Sequence, residues 1–160
     1  MAEFNTTGLE ELSYAFMRQE ERATATVEEM LQAEAEIYTQ HLKDAAAGYG
    51  IRDTGGFINS IKAGKTQQED MAVYRIIAPE GNADHTADYG GGYSNKGSKR
   101  KGKSMAGNIR YAAIGFIYEY GTSSIAPRPW WTKGNLMAES PAHDKAMEIW
   151  QRYVNESFSG

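Results

Sequence analysis

The sequence predicts an α+β protein in which a long N-terminal helix and C-terminal helices pack on a small antiparallel β-sheet. Residues 25–47 carry apolar side chains at the three-four spacing of one helix face. Residues 57–63 and 69–79 hold branched and aromatic side chains between turn residues, which is typical of strands. Helical spacing returns after Pro129, so helices are expected on both sides of the strand region in the sequence.

The N-terminal third of the chain is predicted to be helical. A short amphipathic helix is expected over 8–23, with Asn5 to Thr7 as candidate caps. A second, clearer helix is expected over 25–47, ended by Gly48 and Gly50. Its predicted buried face consists of Val27, Met30, Leu31, Glu34, Ile37, Tyr38, His41, Leu42 and Ala45, with Glu34 and His41 at the edge.

The strand region begins after a turn signal at Asp53 to Gly56. The first strand is expected over 57–63, and the second over 69–79, where Pro79 closes it. Between Glu80 and Asn108 the chain is rich in Gly, Ser, Asn, Asp and Lys. A stretch of this length without a secondary-structure pattern is typical of a functional or flexible loop, so 80–108 is predicted to be a flexible basic loop.

The C-terminal third is predicted to contain three helices. Residues 111–120 fit either a strand or a short helix, and their apolar spacing favours the helix. Pro129 suits the first turn of a helix over 130–138. Ser140-Pro141 is expected to break that helix before a final one begins. The predicted buried face of the final helix consists of Met147, Trp150, Tyr153 and Val154.

Length and composition favour one domain over 1–160, with residues 1–24 as an N-terminal helical extension. The chain has no cysteine, which excludes disulfides and thiolate metal sites. No apolar run approaches the roughly 20 residues that span a bilayer, and the N-terminus lacks the pattern of a signal peptide. We therefore expect no membrane partner and assembly in a cytoplasm.

The charge is distributed unevenly along the chain. The net charge is −4, but residues 89–118 contain six cations and no acid, so the remainder carries −10. This pattern predicts either contact with a polyanion such as DNA, docking on an acidic protein, or a solvated loop. The cations of the predicted loop are Lys96, Lys99, Arg100, Lys101 and Lys103.

The sequence contains no recognisable catalytic constellation, and we expect no enzymatic activity, cofactor or metal. Residues 97–104 match G-x-x-x-x-G-K-S/T, the phosphate-binding P-loop, but no buried strand precedes the match and Gly107 disfavours a following helix. A glycine-rich basic tract produces this match by composition. His85 with Asp84 and Asp88 lacks a metal-ligand framework, while His41 is expected on a helix face and His143 is expected to be exposed.

The segment 109–131 is the candidate docking device. It passes through a corner at Glu119, Tyr120, Gly121 and Thr122 and then opens onto Arg128, Pro129, Trp130 and Trp131. Glu119 is expected either to accept hydrogen bonds or to pair with Arg128, and Gly121 to supply a positive φ angle. Adjacent helical side chains diverge by about 100 degrees. One tryptophan is therefore expected in the core and the other on the surface as an interface anchor.

Together, IRDTGGFINSIK, YAAIGFIYEYGT and APRPWW resemble a family of small morphogenesis proteins of long-tailed double-stranded-DNA phages and prophages. These are minor tail, head–tail joining or tail completion (neck) proteins. The family pattern has D-T-G-x-L-x-x-S-I, then Y-A-x-x-x-E-F/Y-G-T, then A-R-P-F. The matching positions are Asp53, Thr54, Gly55, Ser60, Ile61, Tyr111, Ala112, Glu119, Tyr120, Gly121, Thr122, Arg128 and Pro129.

The resemblance spans about residues 25–155, with departures at Phe57, Pro127 and the Trp130-Trp131 pair. It implies a structural virion protein of the neck or tail, assembled in the bacterial host cytoplasm as a ring, hexameric by tail symmetry. It further implies docking on neighbouring neck or tail proteins, such as a stopper, a connector or a tail terminator, and nonspecific contact of the basic loop with phage DNA. The alternative expectation is a nucleic-acid-binding accessory protein that acts through the basic loop.

Overall fold

The computed structural model describes residues 7–51, 56–70, 72–83 and 109–158. The N-terminal region is one continuous helix, α1, over Thr7–Gly48, and not the two helices expected from the sequence. Thr24 and Thr26 are the β-branched residues at the expected break. Their hydroxyls donate hydrogen bonds to the backbone carbonyls of Glu20 and Arg22, at 2.9 and 2.8 Å respectively. These bonds let threonine remain inside a helix, so no break is needed.

The C-terminal region is also one helix, α4, over Trp130–Phe158, with Pro141 inside it. The predicted break at Ser140-Pro141 was therefore wrong. Pro141 lacks an N–H and leaves the carbonyl of Met137 without its helical partner. Both residues are exposed, so water can satisfy that carbonyl. Ala138 and Ala142 remain buried on the other side, and this packing holds the helix together across the proline.

Helices α1 and α4 form an antiparallel pair that makes up most of the tertiary structure. Leu42 meets Gly134 near one end, and Arg22 meets Glu156 near the other. The helices approach closely, since a Cβ added to Gly134 would lie 2.9 Å from the Cα of Leu42. The buried side chains of α4 are mostly small. They are Ala138, Ala142, Ala146 and Ile149 on α4, which face a stripe of α1 containing Ala35, Leu42, Ala45 and Ala46.

This buried stripe corrects the predicted face of the final helix. Met147 and Trp150 are each 40% exposed, and only Tyr153 and Val154 of the predicted set are partly buried. Large side chains were expected to mark the core, but the two helices are too close for them at this interface. Alanines occupy the contact instead, and the large residues lie at its edge.

Between the two long helices the chain forms short elements. Helix α2 spans Gly56–Ser60 and leads directly into β1, Ile61–Ala63. The other strands of this region are β2 over Gln67–Glu69, β3 over Ala72–Tyr74 and β4 over Ile77–Pro79. The predicted strand 57–63 is thus half helix, and the predicted strand 69–79 is divided between three strands.

The four strands form one irregular antiparallel hairpin. β1 pairs with β4, with Ile61 opposite Pro79, and β2 pairs with β3, with Glu69 opposite Ala72. The register shifts by one residue between the two pairs, where Arg75 on one arm lies opposite two residues on the other. Such a bulge bends the ribbon and divides the predicted strands. Asp70 turns the tip with a φ of 51°, a conformation that aspartate tolerates in hairpin turns.

A third antiparallel pair joins β5, Asn82–Ala83, to β6, Ile109–Arg110. Helix α3 follows at once over Tyr111–Tyr120, which confirms the helix favoured by the sequence. The N–H of Tyr111 donates to the carbonyl of Gly81 at 3.0 Å and fixes the start of α3 beside β5. Of the predicted flexible loop, 80–108, only residues 80–83 are described, and this pairing holds their end of it beside Ile109.

The apolar core lies where α2, α3 and α4 meet the end of α1. Phe57 is fully buried at its centre, and its ring contacts those of Tyr111, Tyr118 and Trp130 at centroid distances of 6.4, 6.1 and 5.1 Å. The core consists of Leu42, Ala46, Ile51, Phe57, Ile61, Ala83, Ile114 and Trp130. The α+β class and the arrangement of long helices around small antiparallel sheets agree with the sequence prediction.

The first turns of α1 extend past the end of α4. Arg22 pairs with Glu156, two residues before α4 ends, and side chains 13–22 are all exposed. We call residues 7–21 the N-terminal arm; at 1.5 Å per residue it is roughly 20 Å long.

Another ion pair joins α1 to α4. Glu29 accepts two hydrogen bonds from Arg152 at 2.6 Å, and this bonding raises the pKa of the Arg152 guanidinium.

Candidate docking surface

Glu119, in the last turn of α3, is one of the few buried charged side chains among the described residues. It is 8% exposed. Its carboxylate accepts hydrogen bonds from the backbone N–H of Trp131 at 2.7 Å and of Thr132 at 3.2 Å, and from the Thr132 hydroxyl at 2.5 Å. The carboxylate is therefore fully engaged in joining α3 to α4.

The sequence around Pro129 explains why α4 needs this carboxylate. The N–H of Lys133 donates to the carbonyl of Pro129 at 3.0 Å, so Pro129 occupies the N-cap position. Proline has no side-chain oxygen to accept the next N–H groups, which a serine or aspartate normally satisfies. Glu119 supplies that oxygen from another helix, and its negative charge also favours the positive end of the α4 dipole.

The structure distinguishes the two alternatives that the sequence left open for Glu119. Acceptance of hydrogen bonds is confirmed, whereas the pairing with Arg128 does not occur. Arg128 instead places its guanidinium 5.6 Å from the ring centroid of Tyr118, a cation–π contact, and donates its backbone N–H to the Tyr118 carbonyl at 2.6 Å. Arg128 thus stabilises the same corner through Tyr118, the residue before Glu119 on α3.

Gly121 makes the turn that follows α3. Its φ is 73°, as expected from the sequence, and its N–H donates to the Ile117 carbonyl at 2.8 Å. A Cβ at this position would lie 2.6 Å from the carbonyl oxygen of Ile125, so only glycine fits. The Thr122 hydroxyl then accepts the N–H of Ile125 at 3.1 Å and closes the loop.

The two tryptophans divide as the sequence predicted. Trp130 is 2% exposed and donates its indole N–H to the carbonyl of Gly115 at 3.0 Å. Trp131 is 36% exposed, and its ring meets that of Trp130 edge-on at 5.6 Å. One ring therefore anchors α4 in the core while the other is held at the surface.

An aromatic cleft lies beside the exposed tryptophan. Its volume is about 210 Å³. Phe116 and Tyr120, one turn apart on α3, are 65% and 67% exposed, and their rings lie 4.6 Å apart. The residues that line this aromatic cleft are Pro79, Ala112, Gly115, Phe116, Glu119, Tyr120, Trp130 and Trp131.

A second groove of about 360 Å³ lies on the other side of Trp131. It runs between α1, the hairpin and α4, and its walls include Leu31, Tyr38 and Ile77. Both depressions are open and mainly apolar. The surface around Trp131 therefore offers aromatic contact area, of the kind that is enriched in protein–protein interfaces.

Several predicted site residues lie outside the described residues. These are the basic loop cations Lys96, Lys99, Arg100, Lys101 and Lys103. The two motifs that the sequence analysis discounted, the P-loop match at 97–104 and His85 with its two aspartates, also lie outside the described residues. Within the described ranges, no group of three His, Asp or Glu side chains is placed to hold a metal ion. His41 is half-buried on α1 and His143 is exposed on α4, as expected. None of the helices described is long and apolar enough to cross a bilayer.

Two residues of this surface were not singled out from the sequence. Thr132 completes the binding of Glu119 through both its N–H and its hydroxyl. Phe116 forms the exposed aromatic pair with Tyr120. The four-residue spacing of Phe116 and Tyr120 is a sequence signal for this pair, because residues four apart on a helix are neighbours on its surface.

In comparisons with protein-family models, with curated proteins and with solved structures, no match was found.

Proposed function

We propose that this chain is a non-enzymatic structural protein of a tailed phage particle, located at the head–tail junction or the tail end. The observation that supports this best is the construction of the corner. Its buried carboxylate is fully used in capping α4, while the surrounding aromatic side chains face solvent. A site built in this way has contact area to offer and no free reactive group.

The corner also explains how such a surface is kept ready for binding. Glu119 and Trp130 join α3 to α4 by hydrogen bonds, and Gly121 fixes the turn between them. Phe116, Tyr120 and Trp131 are therefore held in fixed positions before any partner arrives. Preorganisation of this kind lowers the entropic cost of association, which matters for a protein that assembles from dilute subunits.

The particular role follows from the resemblance to neck and tail completion proteins. In this role the chain assembles as a ring, hexameric by tail symmetry, and docks on neighbouring rings such as a connector, stopper or tail terminator. The ring surrounds the DNA channel. Its basic tract, Lys96 to Lys103, contacts either the DNA or an adjacent ring.

Immunogold electron microscopy tests the location. An antibody against this chain, applied to particles released from its source, is expected to label the head–tail junction or the tail end. A denatured-particle control shows whether the protein is present in particles whose native epitope is hidden, and a peptide tag on the same subunit provides a second, accessible epitope. Unlabelled particles, with the protein abundant in the same lysate and the epitope accessible, would refute the proposal.

The basic tract has its own test. Replacing Lys96, Lys99, Arg100, Lys101 and Lys103 by glutamine is expected to leave the melting temperature unchanged and to reduce the yield of joined particles. The matched control replaces five surface lysines and arginines elsewhere in the chain. A normal phage titre with the variant that carries all five substitutions would show that the tract has no role in assembly.

The second candidate is a nucleic-acid-binding accessory protein. It is favoured by the concentration of six cations and no acid in residues 89–118. If five of these cations neutralise phosphates of duplex DNA, the logarithm of the binding constant should fall with the logarithm of salt concentration with a slope of about −4.5. Binding with this slope by a protein that does not label particles would favour the second candidate.

A further inference from the structure

Along residues 13–21, where every side chain is exposed, the N-terminal arm packs against no other part of the described chain. Tyr14, Phe16 and Met17 are 67%, 67% and 56% exposed. An isolated helix of this length is marginal in water, because packing of an apolar face supplies most helix stability in proteins. Three large apolar side chains close together on such an arm indicate that another surface covers them.

The arm cannot reach the aromatic cleft of its own subunit. α1 is continuous from Thr7 to Gly48, and Leu31 is the first of its residues to line the groove beside Trp131. Tyr14 lies about 25 Å before Leu31 along the helix axis. A continuous helix does not fold back on itself, so contact between arm and aromatic cleft requires two copies of the chain.

The charges of the two surfaces are complementary. The arm contains Glu10, Glu11, Glu20 and Glu21 against a single cation, Arg18. Residues 109–138 supply seven of the eight residues that line the aromatic cleft, and they contain Arg110, Arg128 and Lys133 against one acid, Glu119, which is buried and accepts three hydrogen bonds. The eighth lining residue, Pro79, is followed by a single exposed acid, Glu80, so the exposed charge remains basic. Electrostatic complementarity of this kind selects a partner and its orientation.

The other exposed aromatic patch on α4 is a poorer match. Met147 and Trp150 are exposed there, but residues 139–156 contain four acids against two cations. The acidic arm is repelled by an acidic helix and attracted by the basic surround of the aromatic cleft. The charge distribution therefore selects the aromatic cleft over the C-terminal half of α4.

We propose that the N-terminal arm of one subunit docks in the aromatic cleft of the next, with Phe16 and Met17 packing against Phe116 and Tyr120. The contact joins two different surfaces, so it repeats head to tail, and repetition that closes gives a ring. The inference deepens the proposed function, on which the closure into a ring rests. The arm-to-cleft contact itself depends only on the surfaces described above.

Two complementary variants test the contact. The arm variant carries Phe16→Ser and Met17→Ser, and the cleft variant carries Phe116→Ser and Tyr120→Ser. All four side chains are exposed in the subunit, so both variants are expected to fold, which circular dichroism checks. Leu136→Ser is the matched control, because Leu136 is 69% exposed on α4 and lines neither surface.

Sedimentation velocity over a concentration series gives the expected results. Wild type and Leu136→Ser should associate with rising concentration, and each docking variant should show a dissociation constant raised at least about 30-fold. An equimolar mixture of the two variants retains one intact arm and one intact cleft. It should form a 1:1 heterodimer and nothing larger.

Three results would overturn the proposal. The first is a cleft variant that associates as strongly as wild type, which would mean that arm binds arm. The second is a mixture of the two variants that forms no heterodimer. The third is a wild type that stays monomeric up to about 1 mM, a weak limit even for transient contacts. The immunogold result is independent of all three. Labelled particles without heterodimers would leave the proposed function standing and the contact wrong, and heterodimers with unlabelled particles the reverse.

Discussion

Replacement of Glu119 by alanine tests how the corner is held together. The change removes the acceptor of two backbone N–H groups in the first turn of α4 and of the Thr132 hydroxyl. Loss of a helix cap costs about 1 kcal/mol, and a hydrogen bond to a charged group contributes about 1.5–3 kcal/mol. Because the three bonds share one carboxylate and do not add, we expect Glu119→Ala to lower the free energy of unfolding by roughly 2–4 kcal/mol.

Urea and thermal unfolding followed by circular dichroism measure this loss. For a chain of this length, each kcal/mol shifts the melting temperature by about 2–4 °C, so a decrease of roughly 5–15 °C is expected. Glu119→Gln keeps one carbonyl oxygen but loses the charge at the α4 N-terminus, and should cost about 1–2 kcal/mol. Glu139→Ala is the matched control, since Glu139 is an exposed glutamate on α4, and should change the free energy of unfolding by less than about 0.5 kcal/mol.

The graded order of the three variants is the decisive result. If Glu119→Ala were as stable as Glu139→Ala, the carboxylate would not be capping α4. If Glu119→Gln were as damaging as Glu119→Ala, the charge would matter and the acceptor geometry would not. Either result would refute the account of the corner, and with it the fixed placement of Trp131.

Two glycines give further predictions. Gly121→Ala places a methyl group 2.6 Å from the Ile125 carbonyl oxygen at a φ of 73°, and should lower the free energy of unfolding by about 2–4 kcal/mol in urea titrations; a loss below about 0.5 kcal/mol would contradict the turn geometry. Gly134→Ala places a methyl group 2.9 Å from the Cα of Leu42, and should cost about 1–3 kcal/mol by separating the helices. Gly48→Ala, with no atom within 4 Å of the added Cβ, is its control; equal melting temperatures for the two would contradict close packing.

The sequence predicted the fold class because the strongest patterns were long and regular. The apolar face of residues 25–47 and the strand composition of 69–79 are local signals, and both regions have the expected class of structure. The breaks were placed wrongly because local propensity yields to tertiary packing. Pro141 disfavours helix locally, but α4 buries alanines against α1 on both sides of it. Thr24 also disfavours helix, and there the hydroxyl bonds to the Glu20 carbonyl inside a continuous α1.

At the docking surface, the sequence predicted the conformation and burial of single residues better than it predicted which groups hydrogen-bond to each other. A positive φ at Gly121 and the division of Trp130 and Trp131 between core and surface follow from local geometry, and both are confirmed. The acceptor for α4 was harder to identify, because Glu119 lies about twelve residues before the N–H groups that it binds. No local pattern links them; the link depends on how α3 and α4 pack.

The pairing of β5 with β6 has a practical consequence for work on this protein. Ala83 lies opposite Ile109, so the two residues that flank 84–108 are held side by side by one strand pair. The entropy of closing a loop between such a pair depends weakly on its length, and each doubling costs only about 0.6 kcal/mol. The segment 84–108, outside its basic tract Lys96 to Lys103, is therefore a suitable place to insert an epitope or a fluorescent domain, because the residues that flank the segment are anchored by the same strand pair. A tag inserted there would report on the intact subunit without altering either long helix.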